Sequence, residues 1–463
     1  MGDKNLTDIL VDYVCDTTYE DITEDAIDRA KIRLLDSIGV MAIGRTSPDA
    51  NATVEMLRNA GGSKEATVAT YGFKIPMAQA AFANSLLMRS YDFEAIDAEG
   101  LKDGEPNVAA HISGTTVPAA LAVAEAAHAS GKEFLRALIL GDDVVARALG
   151  ATGFSVFDNF DGNGTANVLG AVVAAGLLLG LSKEEMKGAF SLGVNQMSGT
   201  MQNVFEKKIT FKVPIALSAR AGIFAAQLAR CDYGTCLDDP IAGPRGMFEI
   251  FYNDPKPERM TINLGKRFYA DAVIKPWPAC RATHASVNAT LLACKGRTFN
   301  ADQIDAIELH VPDYTKNFVG QGFEFGMDHS YQGAFSIDFL CATAILRGDV
   351  KPEFMQPKMM VDPELGAILD KLEIVEDQSC DSDAGGAMTL IKLANGDVLQ
   401  GSTDFALGEY RHTPLSYEDI LKKYYSNIEF GGTISKDYAD CVVDTVSGLN
   451  DVADMAELVA LIA

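Results

Sequence analysis

The chain has 463 residues, of which 48% are hydrophobic and 22% charged. This is ordinary globular usage, long enough for two or three domains around a sizeable core, and it argues against disordered, membrane-embedded and small stapled classes. Thirty-nine basic against 64 acidic residues leave a formal charge of −25; such a field repels phosphate backbones and anionic lipid, so neither nucleic acid nor a membrane is expected as a partner, and an anionic ligand would need a local cluster of cations.

The opening MGDKNLTDIL lacks the basic-then-apolar pattern of a secretory signal, and eight cysteines without a CxxC pair suit a reducing compartment, so a cytoplasmic location is expected. From Thr23 to Gly44, residues Ile27, Ala30, Leu34, Ile38 and Met41 recur at helical spacing behind a Thr N-cap. Further helices are predicted at 76–91, 116–130, 132–149, 167–181, 183–195 and 214–230. Their alanines and glycines let axes approach closely, as in a bundle whose helices are buried on several sides. The longest apolar run, Val168 to Leu181, is shorter than the roughly 20 residues of a bilayer span and reads as a buried helix.

Past about Arg267 the pattern changes. IDAIELHVP alternates like a strand, and AMTLIKLANGDVLQGSTDF reads as two strands around Asn395-Gly396, a strong hairpin signal. Beyond Pro414 helical periodicity returns. The expected fold is mainly α with an inserted α+β domain: residues 1–266 and 411–463 form a discontinuous helical bundle, residues 267–410 a smaller α+β lid, and a ligand pocket lies between them.

Four segments carry candidate chemistry. In IKPWPACRATHASVNA, Lys275, Arg281 and His284 fall on a loop stiffened by Pro276 and Pro278, and the only Trp, Trp277, suggests that the loop packs inward. Three potential cations in an acidic chain read as a carboxylate clamp or acid–base site. Lys212 shortly precedes Pro214 and a small-residue helix, and its position alone leaves it open between a site lysine and an exposed one; Lys207 and Lys208 read as solvated loop charges. Asp92 ends one apolar helix and His111 precedes the next, both at termini where a rigid scaffold presents reactive groups. Asp161 and Asn163 sit in GFSVFDNFDGNGTANVLGA, which lacks the GxxxxGK[ST] phosphate signature; they read as solvated loop polars or as hydrogen-bonding groups for a ligand. His329 could approach a site, though nothing in the sequence fixes it there. No metal-ligand spacing appears, and the cysteines do not make an iron–sulfur case, so neither metal nor cofactor is expected.

Six segments in this order, SYDFEAID with AAHISGTTVPAALAVAEA, NGTANVLGAVVAAGLLLGL, FKVPIALSARAGIFAAQLA, KPWPACRATHASVNA, YQGAFSIDFLCATAILRGDV and ALGEYRHTPLSYEDILKKYY, resemble the MmgE/PrpD family over nearly the whole chain. That family includes 2-methylcitrate dehydratase, cis-aconitate decarboxylase and iminodisuccinate epimerase. The resemblance implies a helical domain with an inserted lid, a homodimer and a cofactor-free site between domain and lid. It carries Asp92, His111, Lys212, Lys275 and His284 over as site residues. The chain departs from the family pattern at Glu94-Ala95-Ile96, at His111-Ile112-Ser113 and at Asp161, where many members have a histidine.

Removing a proton beside a carboxylate requires a base, an acid and fixed positive charge near the developing enolate-like anion. The expected assignment puts Lys212, Lys275 and Arg281 on carboxylates of a small anionic substrate, with His111 and Asp92 as the proton-transfer pair and His284 sharing acid duty. A 2-methylcitrate dehydratase-like hydro-lyase is the leading expectation. Epimerisation or decarboxylation within the same family is the alternative, and an inactive binding protein on the same fold a further one.

Overall fold

Thr23 accepts a hydrogen bond from the Ala26 N–H at 3.4 Å and starts helix α1, Glu24–Gly44, as its N-cap pattern requires. The computed structural model describes residues 4–231, 236–325, 330–380 and 385–463; His329 lies outside the described residues. Among the helices that follow are α2 (Met77–Met88), α3 (Ser113–Ala127), α4 (Gly131–Thr152), α5 (Asn167–Leu178), α6 (Lys183–Val194) and α7 (Val213–Ala229). The chain is thus mainly α, with small sheets.

Helix α5 lies at the centre, packed against α3, α4, α6 and α7 and buried from Asn167 to Gly176. Small residues make this possible. A Cβ at Gly222 of α7 would lie 2.3 Å from Ala171 Cβ, and one at Gly141 of α4 would lie 2.8 Å from the Gly170 carbonyl oxygen. The continuous helical stretch Ile209–Ala229 is long and apolar enough to cross a bilayer, but two-thirds of its most apolar window is buried inside the fold.

The boundaries differ from the sequence reading at the ends that matter. The helix predicted to run to residue 91 stops at Met88, tightens into a 3₁₀ turn over Arg89–Tyr91 and ends at Asp92 in the left-handed conformation, φ 49°. Helix α3 begins three residues earlier than predicted because Asp271, remote in sequence, accepts from the Ile112 and Ser113 N–H groups at 3.0 and 2.7 Å. That cap cannot be read locally.

Strands β1 (Ile96–Ala98) and β2 (Asp271–Val273) pair antiparallel, Ile96 opposite Val273. Helix α8 (His284–Cys294) follows, and then strands β3 (Ile304–Val311), β4 (Leu372–Glu376), β5 (Ala387–Leu393) and β6 (Val398–Thr403), in the sheet order β4-β3-β5-β6. β3 and β4 are parallel, and the other pairs antiparallel. Asn395-Gly396 makes the expected hairpin, with Gly396 at φ 91°. Helix α8 covers β5 and β6, and a Cβ at Gly401 would lie 2.2 Å from the Ala289 carbonyl oxygen, so this strand position admits only glycine without a shift.

Helix α9 (Tyr417–Gly431) returns to α1. Gly431 lets the two approach, since a Cβ there would meet the Ala42 carbonyl oxygen at 2.6 Å, and the buried Lys423 ammonium lies 2.6 Å from Asp36.

Candidate active site

The β1–β2 pair builds the site. Extending its antiparallel register by two residues sets Lys275 opposite Glu94, and the Lys275 ammonium donates to both Asp92 Oδ1 at 2.6 Å and the Asp92 main-chain carbonyl at 2.7 Å. Aspartate tolerates the left-handed backbone that turns its own carbonyl toward the lysine. Lys275 is fully buried and Asp92 is 1% exposed.

Arg89 ties this pair to the histidine. One guanidinium nitrogen, Nη1, donates to Asp92 Oδ1 and, at 2.7 Å, to Glu94 Oε1. His111 Nδ1 lies 2.8 Å from the same Glu94 oxygen and 3.2 Å from Arg89 Nη1. Nδ1 thus faces an acceptor, Glu94 Oε1, and a donor, Arg89 Nη1, and a proton on Nδ1 directed at Glu94 leaves Nε2, 3.9 Å from Asp92 Oδ1, as the basic nitrogen. Burial, reinforced by Arg89, lowers the His111 pKa to about 4, so the ring is neutral near pH 7. Burial works against ionisation of Glu94, but Arg89 and His111 outweigh it and hold its pKa at about 2. Arg89 and Lys275 likewise hold Asp92 well below the carboxylate range despite its burial.

The loop carrying His111 is rigid. Its N–H donates to Asn163 Oδ1 at 3.0 Å, its carbonyl accepts from Asn167 Nδ2 at 2.9 Å, and the Asp271 cap follows immediately. Asn163, expected on the loop surface or on a ligand, instead scaffolds His111. Asp161 Oδ1 accepts from the Asn163 N–H at 2.9 Å, while its buried Oδ2 has no hydrogen-bond partner among the described residues.

The remaining sequence candidates gather around this cluster. Lys212 is 1% exposed, pairs with Asp49 and lies 3.4 Å from Ser90 Oγ. Burial lowers its pKa. The preceding residue, Phe211, places its ring centroid 4.7 Å from the Arg89 guanidinium carbon. His284 is the first residue of α8, not part of the preceding loop; its Nε2 lies 3.2 Å from the Ala279 carbonyl, and its buried Nδ1 has no partner among the described residues. Burial, aided by Arg281 and Lys275, keeps it neutral. Trp277 packs inward beside it, ring centroids 5.4 Å apart. Arg281, expected on a substrate carboxylate, spends both terminal nitrogens on the carbonyls of Leu407 and Ala406, at 2.7 and 2.9 Å.

Of the expected cations, Lys275 and Lys212 each lie against a carboxylate and Arg281 lies against main-chain carbonyls. Two residues of the cluster had no assigned role in the sequence reading. Arg89 looked like the tail of an apolar helix, yet it is the one charge in 77–91, with acids three and five residues on; Glu94 stood only as a departure from a pattern. Lys207 was read as solvated, but it is half-buried and lines a cavity of about 840 Å³ together with Ser47, Asp49, Ser90, Asp92 and Gln332.

Asp92, Glu94 and His111 offer three ligand atoms within 4.8 Å of one another, the spacing of a metal site. Arg89 Nη1 contacts all three, so the guanidinium already supplies the cation on which they converge.

Comparison with known proteins matches residues 8–260 to the MmgE/PrpD N-terminal domain and residues 277–447 to the MmgE/PrpD C-terminal domain. Cis-aconitate decarboxylase of Mus musculus is 24% identical over 478 residues, covering 99% of this chain and 93% of that protein. The Homo sapiens cis-aconitate decarboxylase is 24% identical with 99% and 95% coverage, and that of Aspergillus terreus 22% identical with 99% and 96%. With both family domains matched along a chain whose helices and buried Arg89–Asp92–Glu94–His111–Lys275 cluster are described above, this protein belongs to the MmgE/PrpD family.

Proposed function

We propose that the chain is a lyase for a small di- or tricarboxylate, in which His111 moves a proton at a carbon next to a carboxylate. The observation that carries this reading is the buried, neutral His111 ring set between Glu94 and Arg89; in the tautomer with the Nδ1 hydrogen toward Glu94, Nε2 is the base. Lys275 and Lys212 supply positive charge for substrate carboxylates and for the enolate-like anion; each ammonium has three hydrogens. Lys212, with its pKa lowered by burial, is also suited to give a proton back. Asp92, held ionised, anchors Lys275 and carries no proton, which departs from its expected role in the proton-transfer pair. The bare Nδ1 of His284 is a second proton station.

The named relatives support loss of carbon dioxide: the bond to a carboxylate breaks, carbon dioxide leaves, the electron pair moves into the conjugated carbon skeleton, and Lys212 gives a proton to the carbon there. A second reading, loss of water, is favoured by the base at His111 Nε2, which would take the proton while the hydroxyl leaves with one from Lys212. Incubation with cis-aconitate, citrate, 2-methylcitrate and an aminated succinate in deuterated water tests both. Carbon dioxide release with deuterium in the product is expected from cis-aconitate, and alkene formation from a hydroxy acid would select the second reading. If all four compounds bind without exchange or transformation, the fold serves as a binding protein and the lyase reading fails.

A further inference from the structure

We propose that the far part of the 840 Å³ cavity is a subsite for a distal anionic group of the substrate, a carboxylate remote from the reacting carbon, and that Lys207 binds it; this rests on the polycarboxylate reading above. Pockets of this size hold drug-sized ligands, more than a four-carbon diacid fills. Lys207 and Asp92, the anchor of Lys275, line the same cavity.

The Lys207 ammonium reaches across to Ser336 Oγ, on the segment 267–410, at 3.3 Å, and among the described residues that is its only hydrogen bond, with no ion pair inside 4 Å. Ser336 Oγ in turn donates to the Gln332 carbonyl, on the cavity wall. Two ammonium hydrogens remain for a ligand carboxylate. Of the acids near the ammonium, buried Asp338 acts on it most strongly but beyond ion-pair distance and accepts from the Phe323 N–H at 2.7 Å, Glu206 is engaged by Gln202 at 2.7 Å, and Glu324 is exposed.

The backbone fixes where the side chain starts. Lys207 N–H bonds the Val204 carbonyl at 2.9 Å and Lys208 N–H the Asn203 carbonyl at 3.0 Å, the paired bonds of a Schellman motif closing the helix Gln202–Phe205. Lys207 occupies its left-handed position at φ 52°, where glycine is the usual residue and can replace it without strain.

The test is calorimetric titration of the full chain and of Lys207→Gly and Lys207→Arg with tricarballylate and its terminal monoamide, alongside thermal melts. The intact protein is expected to prefer the tricarboxylate. Lys207→Gly should weaken tricarballylate binding roughly 10- to 100-fold, leave the monoamide unchanged, and melt no lower, because glycine relieves the backbone. Lys207→Arg should keep most of the preference. Equal affinities in the intact protein, or a preference that survives Lys207→Gly, would overturn the subsite. These titrations need no turnover: a protein that transforms a substrate but ignores Lys207 loses only the subsite, whereas one that discriminates by charge yet transforms nothing loses only the reaction.

Discussion

Glu94 Oε1 accepts a hydrogen bond from Arg89 Nη1 and lies 2.8 Å from His111 Nδ1, so this shared oxygen is placed to set which nitrogen of the histidine is bare. Removing it frees one Arg89 hydrogen, 3.2 Å from His111 Nδ1. That hydrogen would be accepted there, moving the ring proton to Nε2 and abolishing the base. Glu94→Ala is therefore expected to lower kcat by about 10²- to 10⁴-fold, the range for a lost or mis-tautomerised base. Glu94→Gln should keep much of the rate, because an amide oxygen can accept from both donors. Steady-state kinetics of the two variants checks this, and equal losses in both would count against the tautomer argument.

Lys275 is buried between the side chain and carbonyl of Asp92. Lys275→Met keeps the stem and removes the charge, leaving Asp92 to Arg89 alone. Breaking a buried pair from one side typically costs about 3–5 kcal/mol, and Arg89 should hold the loss near the lower end. Turnover is expected to vanish in the folded fraction, with far-UV dichroism retained. Urea unfolding and activity at matched folded fractions separate the two effects.

The pH dependence follows from His111. Unfolded histidine takes a proton near 6.5, the folded residue only near 4, so acid favours the unfolded chain. The stability contributed by neutral His111 is complete above pH 6.5 and is lost as pH falls toward about 4. Asp271 has the opposite sign: burial raises its pKa to about 7, so its contribution is present below 3.8 and declines as pH rises to about 7. Because the two windows overlap, total stability is a poor readout. The difference between the intact protein and His111→Gln isolates the histidine and should shrink between pH 6.5 and 4. The acid limb of kcat/KM should likewise lie near pH 4 and not near 6.5.

How much of this was legible in the sequence depends on distance along the chain. Helices α1 and α4 to α7 follow from spacing, caps and small residues, and the β5–β6 hairpin from Asn395-Gly396, because local physics fixes them. Asp92 and His111 were visible as polar groups at the ends of apolar helices, and Lys275 as one of three potential cations on a proline-stiffened loop. The β1–β2 pairing that brings 94 beside 275, the Asp271 cap on α3 and the use of Arg281 on main-chain carbonyls all join residues more than a hundred positions apart. No local pattern encodes them. Arg89 and Glu94 were missed because a buried ion pair is invisible until both partners are placed, although an isolated arginine in an apolar helix was a usable warning.

The last prediction concerns the proposed lid, residues 267–410. The chain enters this segment beside Arg267 and leaves it beside Tyr410 and Arg411, and all three reach one buried carboxylate, Glu99, just past β1. Arg29 of α1 binds the same carboxylate. Both crossings are thus held at one point, and any lid motion must turn about it. Glu99→Gln keeps the shape and removes the charge that gathers three arginines. Those arginines are partly exposed, and Arg29 and Arg267 also meet Asp25 and Asp103, so a stability loss of about 2–3 kcal/mol is expected, below that for a fully orphaned buried charge. If the segment closes over ligand, saturating tricarballylate should protect it from limited proteolysis in the intact protein, while Glu99→Gln should be cleaved faster near 267 and 411 and show kcat and KM altered together. Protection equal with and without ligand would rule out closure, and an unchanged cleavage rate in Glu99→Gln would remove Glu99 as the clamp.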